Sequence, residues 1–371
     1  MAAKHEEISV ILRDEILSGR YGSGGRLPSE AQLVKRFEVS RPTIGRALRT
    51  LTDEGIVERR AGSGSYVKTT DVGTNDRSRR IFALMMPDFG NTEIFQLISG
   101  EIASLARVHD YSVMWSGSSQ PHLDTDLSME RAEELCRQFI ASGVSGVFLT
   151  PYELVPEHEE VNQWLVINLK QAGIPVVLVD RDLKPFPLRS EFDVVGVDNI
   201  EGGYLLGEHL IKLGCNRLRF VAAPHSAPTV DARCAGVREA LIRHGESIPS
   251  QLQAVGDLSE PKFIRQLLKD KPDAFICAND HTAAQLLQTL SRCKIHVPEQ
   301  VRVVGFDDVK FATLMTPSLT TIQQPCREIA QTAFRAMLER QTDPSLPGRQ
   351  LTLAPRLIVR DSCGAYTHSE K

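Results

Sequence analysis

The sequence predicts an α/β protein in which a small N-terminal winged helix-turn-helix unit precedes a two-lobed α/β domain built on parallel sheets. Three observations carry this expectation. The first seventy residues hold short capped helical patterns followed by a glycine-rich hairpin pattern; a polar stretch without hydrophobic periodicity comes next; from Ile81 onward, strand and helix patterns alternate in two successive series. A chain of 371 residues is also too long for one ordinary core.

The first helical pattern runs from Ile8 to Leu17 and puts Ile8, Ile11, Leu12, Ile16 and Leu17 on one face, with Gly19 ending it. Ser29 is placed to cap a second helix, and Gln32 to complete a capping box, with Leu33 and Phe37 facing inward. A turn at Glu38-Val39-Ser40-Arg41 leads to a third helix, capped by Ser40, that tolerates Pro42 in its first turn and sets Ile44, Leu48 and Leu51 at core spacing before Gly55. Arg41, Thr43, Arg46 and Arg49 then lie near its start and outer face, where the recognition helix of a helix-turn-helix meets the major groove. Beyond Gly55, Ile56–Arg60 and Ser65–Val67 flank Gly62, Ser63 and Gly64, and this reads as a hairpin wing whose backbone can lie against a phosphate. Surface arginines are commonly just solvated, and glycine hairpins end many small domains. The two elements in this order, directly after a capped helix pair, are what favour the wing.

The run LPSEAQLVKRFEVSRPTIGRALRTLTDEGIVERRAGSGSYV resembles the GntR-family winged helix over roughly residues 4 to 69. Position by position, the resemblance implies DNA contacts from Arg41 and Thr43, and a wing at Gly62 to Gly64. Ala31 and Gly45 depart from it, standing where many members have DNA-contacting arginines; Arg46 is the neighbouring side chain that could replace the one missing at 45. Charge agrees in sign. Residues 1 to 70 carry 12 Lys+Arg and 9 Asp+Glu, against 31 and 38 in the remainder, so a basic unit precedes an acidic body.

Residues 70 to 80 read as a polar linker between a 1–69 DNA-binding domain and an 81–365 domain. Strands are expected at 81–86, 111–115, 146–149 and 175–179, and then at 193–197, 218–222, 252–255, 274–277 and 302–305. Within each series helical patterns separate the strands, implying right-handed βαβ units and parallel sheets. Ligands of such sheets bind beyond the carboxyl ends of the strands. Those positions are polar: Asp88, Tyr152, Asp180-Arg181-Asp182, Asp198-Asn199, Asn279-Asp280 and Asp307-Asp308. Carboxylates, amides and guanidinium groups can grip neighbouring hydroxyls of a polyol, while Phe89, Phe95 or Tyr152 could stack on its C–H face. The competing reading of any one of these residues is a helix cap or turn former.

The segments VDNIEGGYLLGEHLIKLG, RCAGVREAL, DAFICANDHTAAQLL, VRVVGFDDVKFATLMTPSLTTIQQP and PRLIVRDSC resemble the periplasmic-binding-protein-like effector domain of the LacI/GalR family over about residues 81 to 365. By matching position the resemblance implies ligand contacts from Asp180, Arg233, Asn279, Asp307 and Gln324; Asp280 offers itself as the cap of the following helix instead. It also implies crossovers near 191, 324 and 343, dividing the domain into lobe 1 (about 81–191 and 325–343) and lobe 2 (about 192–324 and 344–365). A homodimer, lobe closure on a small effector and a roughly palindromic double-stranded DNA operator complete the expectation. The GntR-type unit replaces that family's own helix-turn-helix, a combination resembling arabinose-repressor-type regulators.

No stretch approaches eighteen uninterrupted apolar residues and the N-terminus is polar and acidic, so the expectation is a cytoplasmic protein without a membrane partner. Seven scattered cysteines without a C-x-x-C pair suggest buried thiols, with neither a disulfide framework nor a metal site. No cofactor is expected. An enzyme acting on a sugar or nucleotide is one rival, since paired carboxylates such as Asp307-Asp308 could serve as acid and base, but there is no phosphate-binding glycine loop, no H-E-x-x-H and no nucleophile with its base. A large domain serving only as a dimerisation scaffold is the other rival.

Overall fold

The computed structural model describes residues 4–17, 21, 25–53, 56–60, 64–67, 80–86, 93–115, 129–152 and 156–366. Gly62, Ser63, Asp88, Phe89 and, apart from Arg80, the 70–80 linker lie outside the described residues. The chain divides into two compact units, Met1–Arg77 and Ser78–Lys371.

In the first unit, α1 (Lys4–Leu17), α2 (Glu30–Phe37) and α3 (Arg41–Asp53) precede an antiparallel pair, β1 (Val57–Arg60) and β2 (Gly64–Val67). Ser29 and Gln32 form the expected capping box: the Gln32 amide donates to the Ser29 side chain, and the Ser29 amide to the Gln32 side chain at 2.8 Å. Ile8, Leu12, Leu33, Ile44, Leu48, Leu51 and Val57 make the core. Ile11, expected inside, is 42% exposed, because it lies about 100° around the helix from Leu12, and the buried stripe runs through Ile8, Leu12 and Ile16 instead. The wing is broader than a hairpin. Leu27 N donates to Ser65 O and Val67 N to Gly25 O, each at 2.9 Å, adding residues 25–27 as a third short edge.

The second unit holds a six-stranded parallel sheet and a four-stranded parallel sheet. The first comprises β3 (Ile81–Met85), β4 (Ser112–Trp115), β5 (Gly146–Leu149), β6 (Val176–Val179), β7 (Asp193–Val197) and β13 (Gln350–Leu353), in the order β13-β7-β6-β5-β3-β4. Helices α4 (Glu93–Val108) and α11 (Cys326–Thr342) pack on one of its faces, α5 (Met129–Ser142) and α6 (Pro156–Gln171) on the other. The second sheet, in the order β11-β10-β8-β9, uses β8 (Leu218–Ala222), β9 (Gln253–Val255), β10 (Ala274–Cys277) and β11 (Arg302–Val304), with α7 (Asn199–Lys212), α8 (Thr229–Arg243), α9 (Pro261–Leu267) and α10 (Asp280–Arg292) around it. An antiparallel pair, β12 (Thr321–Gln323) with β14 (Arg356–Ile358), runs alongside.

Sheet membership corrects the expected lobe limits. Strands 193–197 and 350–353, assigned from sequence to lobe 2, both belong to the first sheet, so the chain crosses near 198, 324 and 354 and not near 191 and 343. The physical reason is Asp193. It is fully buried and ion-paired with Arg340 Nη2 (2.8 Å) and Arg349 Nε (3.0 Å), which fastens β7 to the end of α11 and the start of β13. Burial opposes its ionisation, but the hydrogen bonds from the two arginines outweigh burial and hold the carboxyl below its usual range.

Helices α7 and α8 cross at glycines. A Cβ at Gly203 would lie 1.9 Å from the Arg233 carbonyl oxygen, and one at Gly236 would lie 2.0 Å from that of Ile200. This contact sets the position of Arg233. Among the cysteines, Cys293 is half-buried and the other six are buried, all of them free.

Candidate functional site

On the first unit, the starts of α2 and α3 and strand β1 converge through side chains. Arg41 opens α3 with a side chain 77% exposed, and its Nε donates to Glu30 Oε2 at 3.1 Å. Arg46 and Arg49 are exposed on the same helix, and half-buried Thr43 shares a 2.8 Å hydrogen bond with the Ser40 hydroxyl. A Cβ built at Gly45 meets nothing within 4 Å, so the side chain absent there leaves open space on α3. Gly64 has φ +116°, and a Cβ there would press on the Arg26 guanidinium at 3.2 Å; both facts favour glycine at this edge of the wing. Sequence reasoning missed Arg26, Glu30 and Arg59 on this unit. Their partners lie about ten to forty residues away in the chain, beyond the reach of local pattern.

In the second unit the polar strand ends meet around Arg233, in the second turn of α8. Its Nε donates to Asn199 Oδ1 at 2.8 Å and its Nη1 to the Ala278 carbonyl at 2.5 Å; Nη2 stands 4.0 Å from Asp307 Oδ1. The guanidinium lies 3.7 Å from the Phe306 ring centroid. Gln324 Nε2 donates to Asp307 Oδ1 at 2.8 Å. Arg233, Asp307 and Gln324 are all buried. Burial disfavours the charged form of Arg233, countered by Asp307 and Asp180. Burial also pushes the Asp307 carboxyl up to about 6, against the pull of Arg233 and Gln324.

Asp307 and Asp308 both have positive φ, 122° and 56°, an uncommon backbone for non-glycine residues. Asp280 braces that turn. Its carboxylate accepts from Val309 N at 3.0 Å and the Thr321 hydroxyl at 2.6 Å, and burial among these groups, together with the charge of Asp307, drives its pKa well above the usual range. Asn279, expected as a ligand residue, is the N-cap of α10 and accepts from Thr282 N at 2.8 Å; Asp280, expected as the cap, is the brace. Asn279 nevertheless follows Ala278, whose carbonyl holds Arg233.

Asp180, at φ 74°, places its carboxylate 3.5 Å from Arg181 Nε, and both side chains are buried. Arg181 Nε has no hydrogen-bond partner among the described residues, and its guanidinium stands 5.9 Å from the Phe95 ring centroid. Phe95 is buried in the α4 core. Tyr152 packs half-buried on the α5/α6 side of the first sheet, its backbone tied to the Asn162 amide by two 3.0 Å bonds. A cavity of about 140 Å³ opens beside Asp180, Arg181, Asn199, Thr229 and Gln350. Glu93, in the first turn of α4, reaches Lys310 beyond β11, accepting from its backbone N at 2.6 Å and standing 3.3 Å from its Nζ. Among the described residues no group of three or more His, Cys, Asp or Glu is placed to hold a metal, and no helix is long and apolar enough to cross a membrane.

Comparisons with known proteins match a separate family model within each of the two units. Residues 4–67 match the model of bacterial regulatory proteins of the gntR family, and residues 208–363 match the periplasmic binding protein-like domain. The arabinose metabolism transcriptional repressor of Halalkalibacterium halodurans is 26% identical over 390 residues, covering 100% of this chain and 99% of the relative. The ribose operon repressor of Escherichia coli K12 is 28% identical over 265 residues, 70% of this chain and 77% of the relative. Among solved structures, the complex of the transcriptional regulator CelR with cellobiose aligns with a TM-score of 0.64 at 24% identity, covering 87% of this chain and 91% of that one. A LacI family regulator from Enterococcus faecium with bound ribose aligns at 0.60 and 24% identity, covering 76% and 98%. At such identities the structural likeness speaks for the fold.

Proposed function

We propose, from the premise that the chain joins a gntR-family helix-turn-helix domain to a periplasmic-binding-protein-like domain, that it is a cytoplasmic, sequence-specific transcription repressor whose operator affinity is set by a small sugar. A homodimer presents two recognition helices to a roughly palindromic duplex, with Arg41, Thr43, Arg46 and Arg49 on the DNA and the wing from Gly62 through Ser63 to Gly64 against the backbone. The effector sits between the lobes, held by Asp180, Arg233, Asp307 and Gln324, with Phe95 at the inner wall. Asn279 acts there through its cap, and Tyr152 at the margin. The observation that carries this reading is the buried group around Arg233, in which guanidinium, carboxylate and two amides converge at strand ends. Arg181 Nε, a buried donor that faces Asp180 at 3.5 Å but makes no hydrogen bond among the described residues, supports a ligand rich in acceptors. Repressors of arabinose and ribose metabolism among the relatives, and cellobiose and ribose in the aligned structures, support a sugar.

Ligand need contribute only about 1 to 3 kcal/mol of coupling, roughly 5- to 150-fold in operator affinity. The test is a thermal-shift screen of the full chain against pentoses, hexoses, sugar phosphates and purines. One class is expected to stabilise it, by about 2.7 kcal/mol at roughly 100 times its dissociation constant. Arg233→Ala is expected to abolish that shift while DNA binding persists. If no class shifts the wild type, the large domain is a dimerisation scaffold.

A further inference from the structure

Glu30 has a position that helix capping alone does not explain. As the first residue of α2 its carboxylate suits the helix N-terminus. Yet each of its oxygens holds an arginine from a different element: Oε2 accepts from Arg41 Nε on α3 at 3.1 Å, and Oε1 from Arg59 Nη2 on β1 at 3.0 Å. Exposed ion pairs of this kind contribute little to stability. A carboxylate among DNA-facing cations also repels phosphate and so weakens binding to any duplex. Its presence there therefore calls for a gain of another kind.

The geometry points to that gain. We propose that Glu30 is a positioning residue for DNA readout, fixing the Arg41 fork for a base and aligning Arg59 on the wing strand as a phosphate contact that the sequence motifs did not assign. Arg41 is held through Nε, so its two terminal nitrogens stay free among the described residues, in the arrangement that pairs bidentately with guanine O6 and N7. The Arg59 side chain is 41% exposed and, among the described residues, gripped at one nitrogen, which leaves its remaining donors to a phosphate oxygen. One carboxylate thereby sets the spacing between the recognition helix and the wing. The inference rests on the DNA-binding reading above.

The sign of the effect separates positioning from simple charge. A randomised duplex pool is enriched on the wild-type chain, and binding of the enriched duplex and of a scrambled one is measured by fluorescence anisotropy across a salt series. Glu30→Gln keeps the shape and removes the charge. Positioning predicts that its affinity for the enriched duplex falls about tenfold while that for the scrambled duplex holds or rises, collapsing the specificity ratio. Arg59→Ala is expected to weaken both duplexes alike and reduce the salt slope by about 1. Equal strengthening of both duplexes by Glu30→Gln, or equal weakening that follows a lowered melting temperature, overturns the positioning role. An unchanged slope in Arg59→Ala removes that arginine from the interface. Failure of the wild type to enrich any sequence overturns the DNA-binding reading itself, and this inference with it.

Discussion

Replacing Gly203 by alanine tests whether the α7–α8 crossing sets the ligand site. The added Cβ would sit 1.9 Å from the Arg233 carbonyl oxygen, 2.7 Å from its carbonyl carbon and 3.0 Å from its Cα. All three are backbone atoms, so no rotamer change relieves the clash. Carbon and oxygen need about 3 Å or more, and the helices must therefore part by at least about 1 Å in a close-packed interior. Arg233 Nε is 2.8 Å from Asn199 Oδ1, at the start of α7, and an added ångström takes that pair past hydrogen-bonding range. Overpacking of this kind costs about 1 to 3 kcal/mol, and a lost hydrogen bond to a charged group costs about 1.5 to 3. The two share one cause and do not sum. With melting temperatures moving about 2 to 4 °C per kcal/mol in domains approaching this size, Gly203→Ala should melt roughly 2 to 12 °C below wild type and lose the effector-induced shift. Calorimetry with and without the stabilising sugar reads both. A variant that melts within about 1 °C of wild type and still responds to sugar would refute the coupling between crossing and site.

Gly45→Ala is the matched contrast: its Cβ meets nothing within 4 Å and it lies inside α3, so it should stabilise the first unit by about 0.5 to 1 kcal/mol in urea unfolding; destabilisation would show that the site is not open. Asp307 has a native pKa raised to about 6 from 3.8, so the folded state holds its proton more tightly than the unfolded chain does. Its contribution to stability is full below about pH 4 and is lost, by about 3 kcal/mol, as pH rises through 6. Asp307→Asn should flatten that part of the profile between pH 4 and 7, and an unaltered slope would place the titration elsewhere. Asp193→Asn leaves Arg340 and Arg349 without their buried counter-charge and should cost about 3 to 5 kcal/mol by urea unfolding. A loss under 1 kcal/mol would mean that β7 is held by its neighbours alone.

The alternation of strands and helices was legible because each element is several residues long and bounded by polar turns, and β3 through β11 fall within a few residues of their expected limits. Pairing between distant elements was not. Periodicity says that 193–197 is a strand, but its place beside β6 depends on Arg340 and Arg349, about 150 residues later in the chain. The same limit applies at the sites. Asn279, a ligand residue by family resemblance, is the N-cap of α10, and Asp280, offered as that cap, braces the 307–308 turn instead, since it finds Thr321 and Val309 only once β11 and β12 are in place. Glu30, Arg41 and Arg59 likewise come together only when the wing folds back on α2.

The charge balance around Arg233 bears on which ligands fit. Two guanidinium groups, Arg181 and Arg233, stand with two carboxylates, Asp180 and Asp307, and all four side chains are buried. Cations beyond those needed for the carboxylates would favour an anionic sugar phosphate, but here each acid has a base beside it. A phosphate dianion brought to such a site meets Asp180 and Asp307 as well as the arginines, and at an effective dielectric of about 20 each like charge at 4 Å costs about 4 kcal/mol. A neutral polyol avoids that penalty. Its hydroxyls can donate to the carboxylates and accept from the guanidinium groups without separating either pair. Donation to Asp307 also stabilises its ionised form, so binding such a ligand draws the raised pKa back down and tightens as pH passes 6. If the proposed effector site is right, Asp307 therefore suits an uncharged sugar: above about pH 6 its carboxylate is ready to accept from a hydroxyl, and Arg233 beside it compensates the charge.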